Sequence, residues 1–146
     1  MKHSIIDYDC YPREDGKRVY YVTCGSKYGT FTGEVSPCDD DRESVWDGYD
    51  FAHCKCLLQM YKKRAEVLRE RWIGIDNACK ALHYSFASSD YKKLQRQADA
   101  AKRLYEEAKE IYNMKNSNFR KYTSERVKER AELNDRILQR RDNDNR

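Results

Sequence analysis

The chain has 146 residues and 17.5 kDa, with 29 Lys plus Arg against 25 Asp plus Glu, a net charge of +4. At 37% charged, 39% hydrophobic and a mean hydropathy of −1.08, it holds no apolar run near the roughly 20 residues a membrane-crossing helix needs. It is too apolar for a disordered polyelectrolyte, and two prolines and six glycines are too few for a loop-built fold, so one folded domain over 1–146 is expected. Met1-Lys2-His3 precedes only Ile5 and Ile6 before Asp7, which does not read as a signal peptide. A soluble, cytoplasmic protein is therefore expected, with no membrane partner.

The composition changes near residue 50. Residues 1–50 carry 6 basic and 11 acidic side chains and net −5, whereas 51–146 net +9. Both prolines and five of the six glycines fall before the change. Ser4 to Tyr8 is short and β-prone, and Pro12-Arg13-Glu14-Asp15-Gly16 is a turn in which Pro fixes φ and Asp-Gly tolerates a positive one. Arg18 to Cys24 is rich in β-branched and aromatic residues, and Gly25 to Gly29 makes a second turn. In Thr30 to Val35, Phe31, Gly33 and Val35 alternate with Thr30, Thr32 and Glu34. The expectation over 1–36 is a three-stranded antiparallel meander whose apolar face lies on helices, since such a sheet is marginal alone.

Residues 37–50 read as an acidic connector. Asp39-Asp40-Asp41 lacks the alternate ligand spacing of a calcium loop and reads better as helix-capping or solvated charge. From Phe51 the spacing predicts a long helix. Phe51, Cys54, Leu58, Tyr61, Ala65, Leu68, Trp72, Ile75, Cys79, Leu82 and Phe86 recur at alternating steps of three and four. Ser88-Ser89-Asp90 supplies a break with N-cap chemistry. A second series follows through Tyr91, Leu94, Ala98, Ala101, Tyr105, Ala108 and Tyr112, meets Lys115 out of type, then resumes at Phe119 and Tyr122. Two such helices over 51–141 make an antiparallel hairpin, with a kink or break open at 113–118 and a frayed tail at 142–146. The fold class is α+β: a small meander followed by a long helical hairpin. The second helix should overshoot the first by about 20 Å, to cover the sheet or a partner subunit.

Six cysteines stand at 10, 24, 38, 54, 56 and 79. Without an export signal they read as reduced thiols. In His53-Cys54-Lys55-Cys56 the two thiols point about 200° apart on a helix, so structural thiols are favoured over a metal site. No phosphate-loop, dinucleotide, nucleophile-elbow or zinc-protease motif occurs, and His3, His53 and His83 are far apart in sequence. Neither catalysis nor a cofactor is expected.

The helices are dense in Lys and Arg interleaved with Glu. A solvated face with i,i+4 pairs is the plainer reading, and phosphate binding the functional one. Twelve tyrosines are unusual for this length. Those at 61, 91, 105, 112 and 122 fit the seams, while those at 8, 11, 20, 21, 28 and 49 cluster near the sheet, where alternation must expose some. Aromatics beside cations suit base stacking with phosphate pairing, or equally a protein surface. The candidate ligand residues are Arg18, Lys27, Tyr28, Arg42, Trp46 and Lys55.

Phe31-Thr32-Gly33-Glu34-Val35, followed by Pro37, Asp41, Gly48 and Ala52, resembles the opening of small accessory proteins of phages and prophages of low-GC Gram-positive bacteria. The resemblance implies a phage protein acting in the host cytoplasm, in a setting where counter-defence factors are common. On fold-level analogy with immune-signal sponges, the expected function is non-enzymatic capture of a nucleotide second messenger in an oligomeric pocket. The alternatives are a protein inhibitor or adaptor of a host defence nuclease, with an acidic head (Asp39–Asp41, Glu43, Asp47) mimicking nucleic acid, or a nucleic-acid-binding or structural phage protein. Because one seam buries only a narrow stripe, Trp72 and Phe86 should need cover from a second copy, so a homodimer or larger is expected.

Overall fold

In the computed structural model, which describes residues 1–36, 45–82 and 89–146 with the side chains of 45 and 46 excepted, β1 (His3–Pro12), β2 (Arg18–Ser26) and β3 (Gly29–Val35) form an antiparallel sheet in the order β1-β2-β3. Two helices follow, α1 (Val45–Ala81) and α2 (Ser89–Asp144). The fold is α+β, a β-meander joined to a helical hairpin. The register pairs Tyr8 with Val22 and Val22 with Gly33 in one row, and Ile5 with Cys24 and Cys24 with Phe31 in the next. These rows face α1. The alternation in β3 holds: Phe31, Gly33 and Val35 turn inward, and Thr30, Thr32 and Glu34 are exposed.

α1 lies on this face as a middle layer, with the sheet on one side and α2 on the other. Its Ala52, Cys56 and Met60 form the core with Val22 and Cys24. Close approach depends on a missing side chain: a Cβ on Gly33 would strike the Ala52 carbonyl oxygen and stand 2.7 Å from the Cys56 nitrogen. Three bonds clasp β3 to the helix. Cys56 Sγ donates to the Phe31 carbonyl at 3.0 Å, Gln59 Nε2 to that of Thr32 at 2.9 Å and Lys55 Nζ to that of Glu34 at 2.9 Å. Burial and the neighbouring Cys24 thiol push the Cys56 thiol upward, so it stays protonated and able to donate. Cys54 is half-buried on the side toward α2, so the two thiols of the Cys-x-Cys pair serve opposite faces.

α1 begins at Val45, within the stretch expected to be connector. Gly48 lies within the helix, and the Tyr20 ring takes the space of its missing side chain, only 2.5 Å from where a Cβ would stand. Asp47 is likewise no solvated charge. It is 5% exposed and takes Arg126 at 2.7 Å and Arg130, tying the first turn of α1 to a distant stretch of α2. Residues 37–44 and 83–88, including Pro37, Cys38, Asp39–Asp41, Arg42, Glu43, His83 and Phe86, lie outside the described residues.

The 3–4 spacing matches the hairpin seam. Every described residue of both series is buried or half-buried, except Lys115. Phe51 meets Tyr122 edge-on at 5.5 Å, and Trp72 stacks on Tyr105 at 5.8 Å and 13° with Lys102 over its ring. Trp72 is thus covered on one face by its own chain and remains half-buried. α2 runs unbroken through 113–118 and on to Asp144, beyond the expected tail boundary. Because Arg126 and Arg130 reach the first turn of α1, residues 131–144 project about 21 Å past it. The sheet rests on α1 rather than under this overhang. No helix among the described residues is long and apolar enough to cross a membrane.

Candidate ligand site at the β2–β3 hairpin tip

Ser26 pairs with Gly29, so the link between β2 and β3 is only Lys27-Tyr28. Both keep negative φ, and Gly29 at φ +121 closes the turn in a region open to glycine. The Tyr28 amide donates to Ser26 Oγ at 3.1 Å, which fixes the tip. Lys27 Nζ stands 5.1 Å from the Tyr28 ring centre. Arg64 of α1, one turn beyond the core residue Met60, faces the tip, and Met1 and Lys2 close the remaining side. Together they line a cavity of about 410 Å³.

The electrostatics of this cavity are one-sided. Lys2, Lys27 and Arg64 line it together with the Tyr28 ring, Lys27 lying over that ring, and none of the three pairs with a carboxylate among the described residues. Three cations at close quarters, with no carboxylate partner among the described residues, repel one another and would lower that cost by accepting an anion. The ring offers a flat apolar face to the same ligand.

Of the six candidates read from sequence, the structure brings Lys27 and Tyr28 together. Arg18 opens β2 while Lys27 follows its end, so the length of the strand, about 27 Å, separates them. Lys55 is on α1, its ammonium engaged by the Glu34 carbonyl. Arg42 and the Trp46 side chain lie outside the described residues. Lys2 and Arg64 were missed. Each is a plain surface residue in its own segment, and only the docking of α1 on the sheet makes them neighbours.

The opposite face of the sheet has the reverse character. Asp7, Asp9 and Glu34 share it with Tyr11 and Tyr21. Tyr11 donates to Glu34 at 2.9 Å and Tyr21 to Asp7 at 3.4 Å. The bond to Glu34 raises the Tyr11 phenol, and desolvation followed by the charge of Asp7 raises that of Tyr21. Elsewhere, His3 of β1 and His53 of α1 contact at 5.5 Å between ring centres, and burial, then the nearby His3, lowers the His53 imidazole. Among the described residues no group of three or more His, Cys, Asp or Glu is arranged to hold a metal ion.

No protein-family model matches the chain, and the searches of curated proteins and of solved structures return no match either.

Proposed function

We propose that the chain is a non-enzymatic binding protein that sequesters an anionic nucleotide in the Tyr28 cavity, serving a phage in counter-defence. The observation that carries the reading is the presence of Lys2, Lys27 and Arg64 with the Tyr28 ring in the lining of one cavity. A nucleotide has the matching chemistry, a base to stack on the ring and phosphates to pair with the cations. The volume of about 410 Å³ is within the usual range for small-molecule sites. The phage setting rests on the Phe31-Thr32-Gly33 resemblance alone.

Assembly belongs to the same proposal. Among the described residues the distal seam fully buries little beyond Cys79, Ala98, Ala101 and Ala108, and β1 exposes Ile5, Ile6, Tyr8 and Tyr11. A second copy would cover such surface. Light scattering at micromolar concentration should return at least twice 17.5 kDa, and a monomer mass would remove the oligomeric form of the proposal.

To test the nucleotide reading, the protein is incubated with cyclic dinucleotides and ADP-ribose derivatives, washed and heated, and the released compounds are identified by mass spectrometry. Retention of one class, with a thermal shift lost in Lys27→Glu and Arg64→Glu, supports it. No retained nucleotide and no shift across the panel overturns it. A second reading draws on the acidic outer face, where Asp7, Asp9 and Glu34 with two tyrosines present the chemistry of a nucleic-acid mimic toward a basic protein such as a host nuclease. A stoichiometric protein partner recovered from host lysate, lost on reversing those charges, distinguishes it from the first.

A further inference from the structure

The seam between α1 and α2 contains a second cavity, of about 300 Å³, which shares no lining residue with the cavity at the hairpin tip. Its walls are apolar: Leu57 and Leu58 from α1, Phe119 and Tyr122 from α2. Its mouth carries Lys115 and Asn118. Lys115 is the one charged residue in the α2 seam series, placed where the spacing calls for an apolar side chain. An apolar residue there would help close the seam, whereas the lysine turns to solvent and leaves the space behind it. Its ammonium stands 5.7 Å from the Tyr61 ring centre and has no carboxylate partner among the described residues.

We propose that this cavity binds an amphipathic monocarboxylate, with its hydrocarbon between Leu57, Leu58 and Phe119 and its carboxylate on the Lys115 ammonium and the Asn118 amide. Charge complementarity selects this ligand class. A neutral hydrocarbon would leave Lys115 unused, and a polyanion would have to bring further charge against apolar walls. Lys115 is the one charged side chain in the lining, so the ligand carries one carboxylate and points it there. Cys54 remains a thiol in this setting, so binding is non-covalent.

The site is tested by titrating the full chain with [1-13C]decanoate, following heat and the carboxyl carbon resonance. The expected result is saturable binding of one decanoate per chain, weakened about three- to fivefold by Lys115→Gln, as for loss of an exposed ion pair. Leu58→Trp, which narrows the cavity, should weaken binding of decanoate and of 1-decanol alike. The binding of 1-decanol should survive Lys115→Gln. Because Lys115 is exposed, its replacement leaves packing intact. Lys27→Glu should not affect decanoate, which keeps this site separable from the nucleotide site. Absence of saturable binding, or equal affinity of wild type and Lys115→Gln for decanoate, overturns the proposal.

Discussion

On its sheet side α1 presents Ala52, Cys56 and Met60, each fully buried against Val22 and Cys24. On its α2 side it presents Phe51, Leu58, Tyr61 and Trp72, each only half-buried, and the seam leaves cavities of about 300 and 250 Å³. The first interface reaches its density by subtraction: Gly33 and Ala52 let backbone meet backbone, and small thiols fill the remaining space. The second meets along a seam of unequal side chains and leaves volume unfilled, beside Lys115 in one place and beside Ala100 and Ala101 in the other. One helix therefore has a stiff face and a loose face. The stiff face docks α1 so that Arg64 and Tyr28 line one cavity, and the loose face leaves open volume in the seam.

The largest effect that would break this contrast is Gly33→Ala. The new methyl meets helix backbone, which cannot yield, so the sheet and α1 must part at a cost of about 3 kcal/mol or more. Urea unfolding measures the loss, and nucleotide retention at Tyr28 should fall with it. Asp47→Asn comes next. It leaves Arg126 and Arg130 without their shared carboxylate, and because both are partly exposed the cost is about 2 kcal/mol, below that of a fully buried pair. Its pH dependence has a definite sign. Burial alone would raise the Asp47 carboxyl, but the hydrogen bonds from Arg126 and Arg130 outweigh it and hold the group below the ordinary carboxylate range. Its contribution is thus complete above the unfolded value near pH 4 and lost as the pH falls through the lowered folded value. Denaturation at pH 7 should separate wild type from Asp47→Asn, and the separation should shrink in acid.

The loose face should respond more mildly. Trp72→Ala removes a stacked but half-exposed ring and should cost about 1.5–2 kcal/mol. Gly74→Ala should stabilise by about 0.5–1 kcal/mol, because a methyl there meets nothing within 4 Å and relieves the entropy of glycine in a helix interior. The opposite signs of Gly33→Ala and Gly74→Ala, read in one urea series, separate a glycine required by helix–sheet contact from one at an exposed position of α1.

What could be read in advance follows the range of each interaction. The seam was legible because each contact repeats at a fixed spacing within one helix, and even Lys115 stood out as a break in that pattern. The inward face of β3 was legible for the same reason, but not that Gly33 is the point of closest contact with α1. The start of α1 was hidden because Gly48 and Asp47 look like loop residues until Tyr20 and Arg126, both distant in sequence, are beside them. The candidate site was half legible. Lys27-Tyr28 advertises itself as a cation and an aromatic at a turn, whereas Lys2 and Arg64 join it only through tertiary docking, and Arg18 is carried to the far end of the same strand.

The most direct test is nuclear magnetic resonance of the protein labelled with ring-13C tyrosine, titrated with ADP-ribose and with a cyclic dinucleotide. Twelve tyrosines report at once. Base stacking in the cavity of Lys2, Lys27 and Arg64 predicts a saturable ring-current shift at Tyr28 for at least one of these probes, with Tyr105 and Tyr112 in the seam unmoved, and the shift abolished in Arg64→Glu. If Tyr28 does not move with either probe, or moves equally in Arg64→Glu, the hairpin tip is not a nucleotide site.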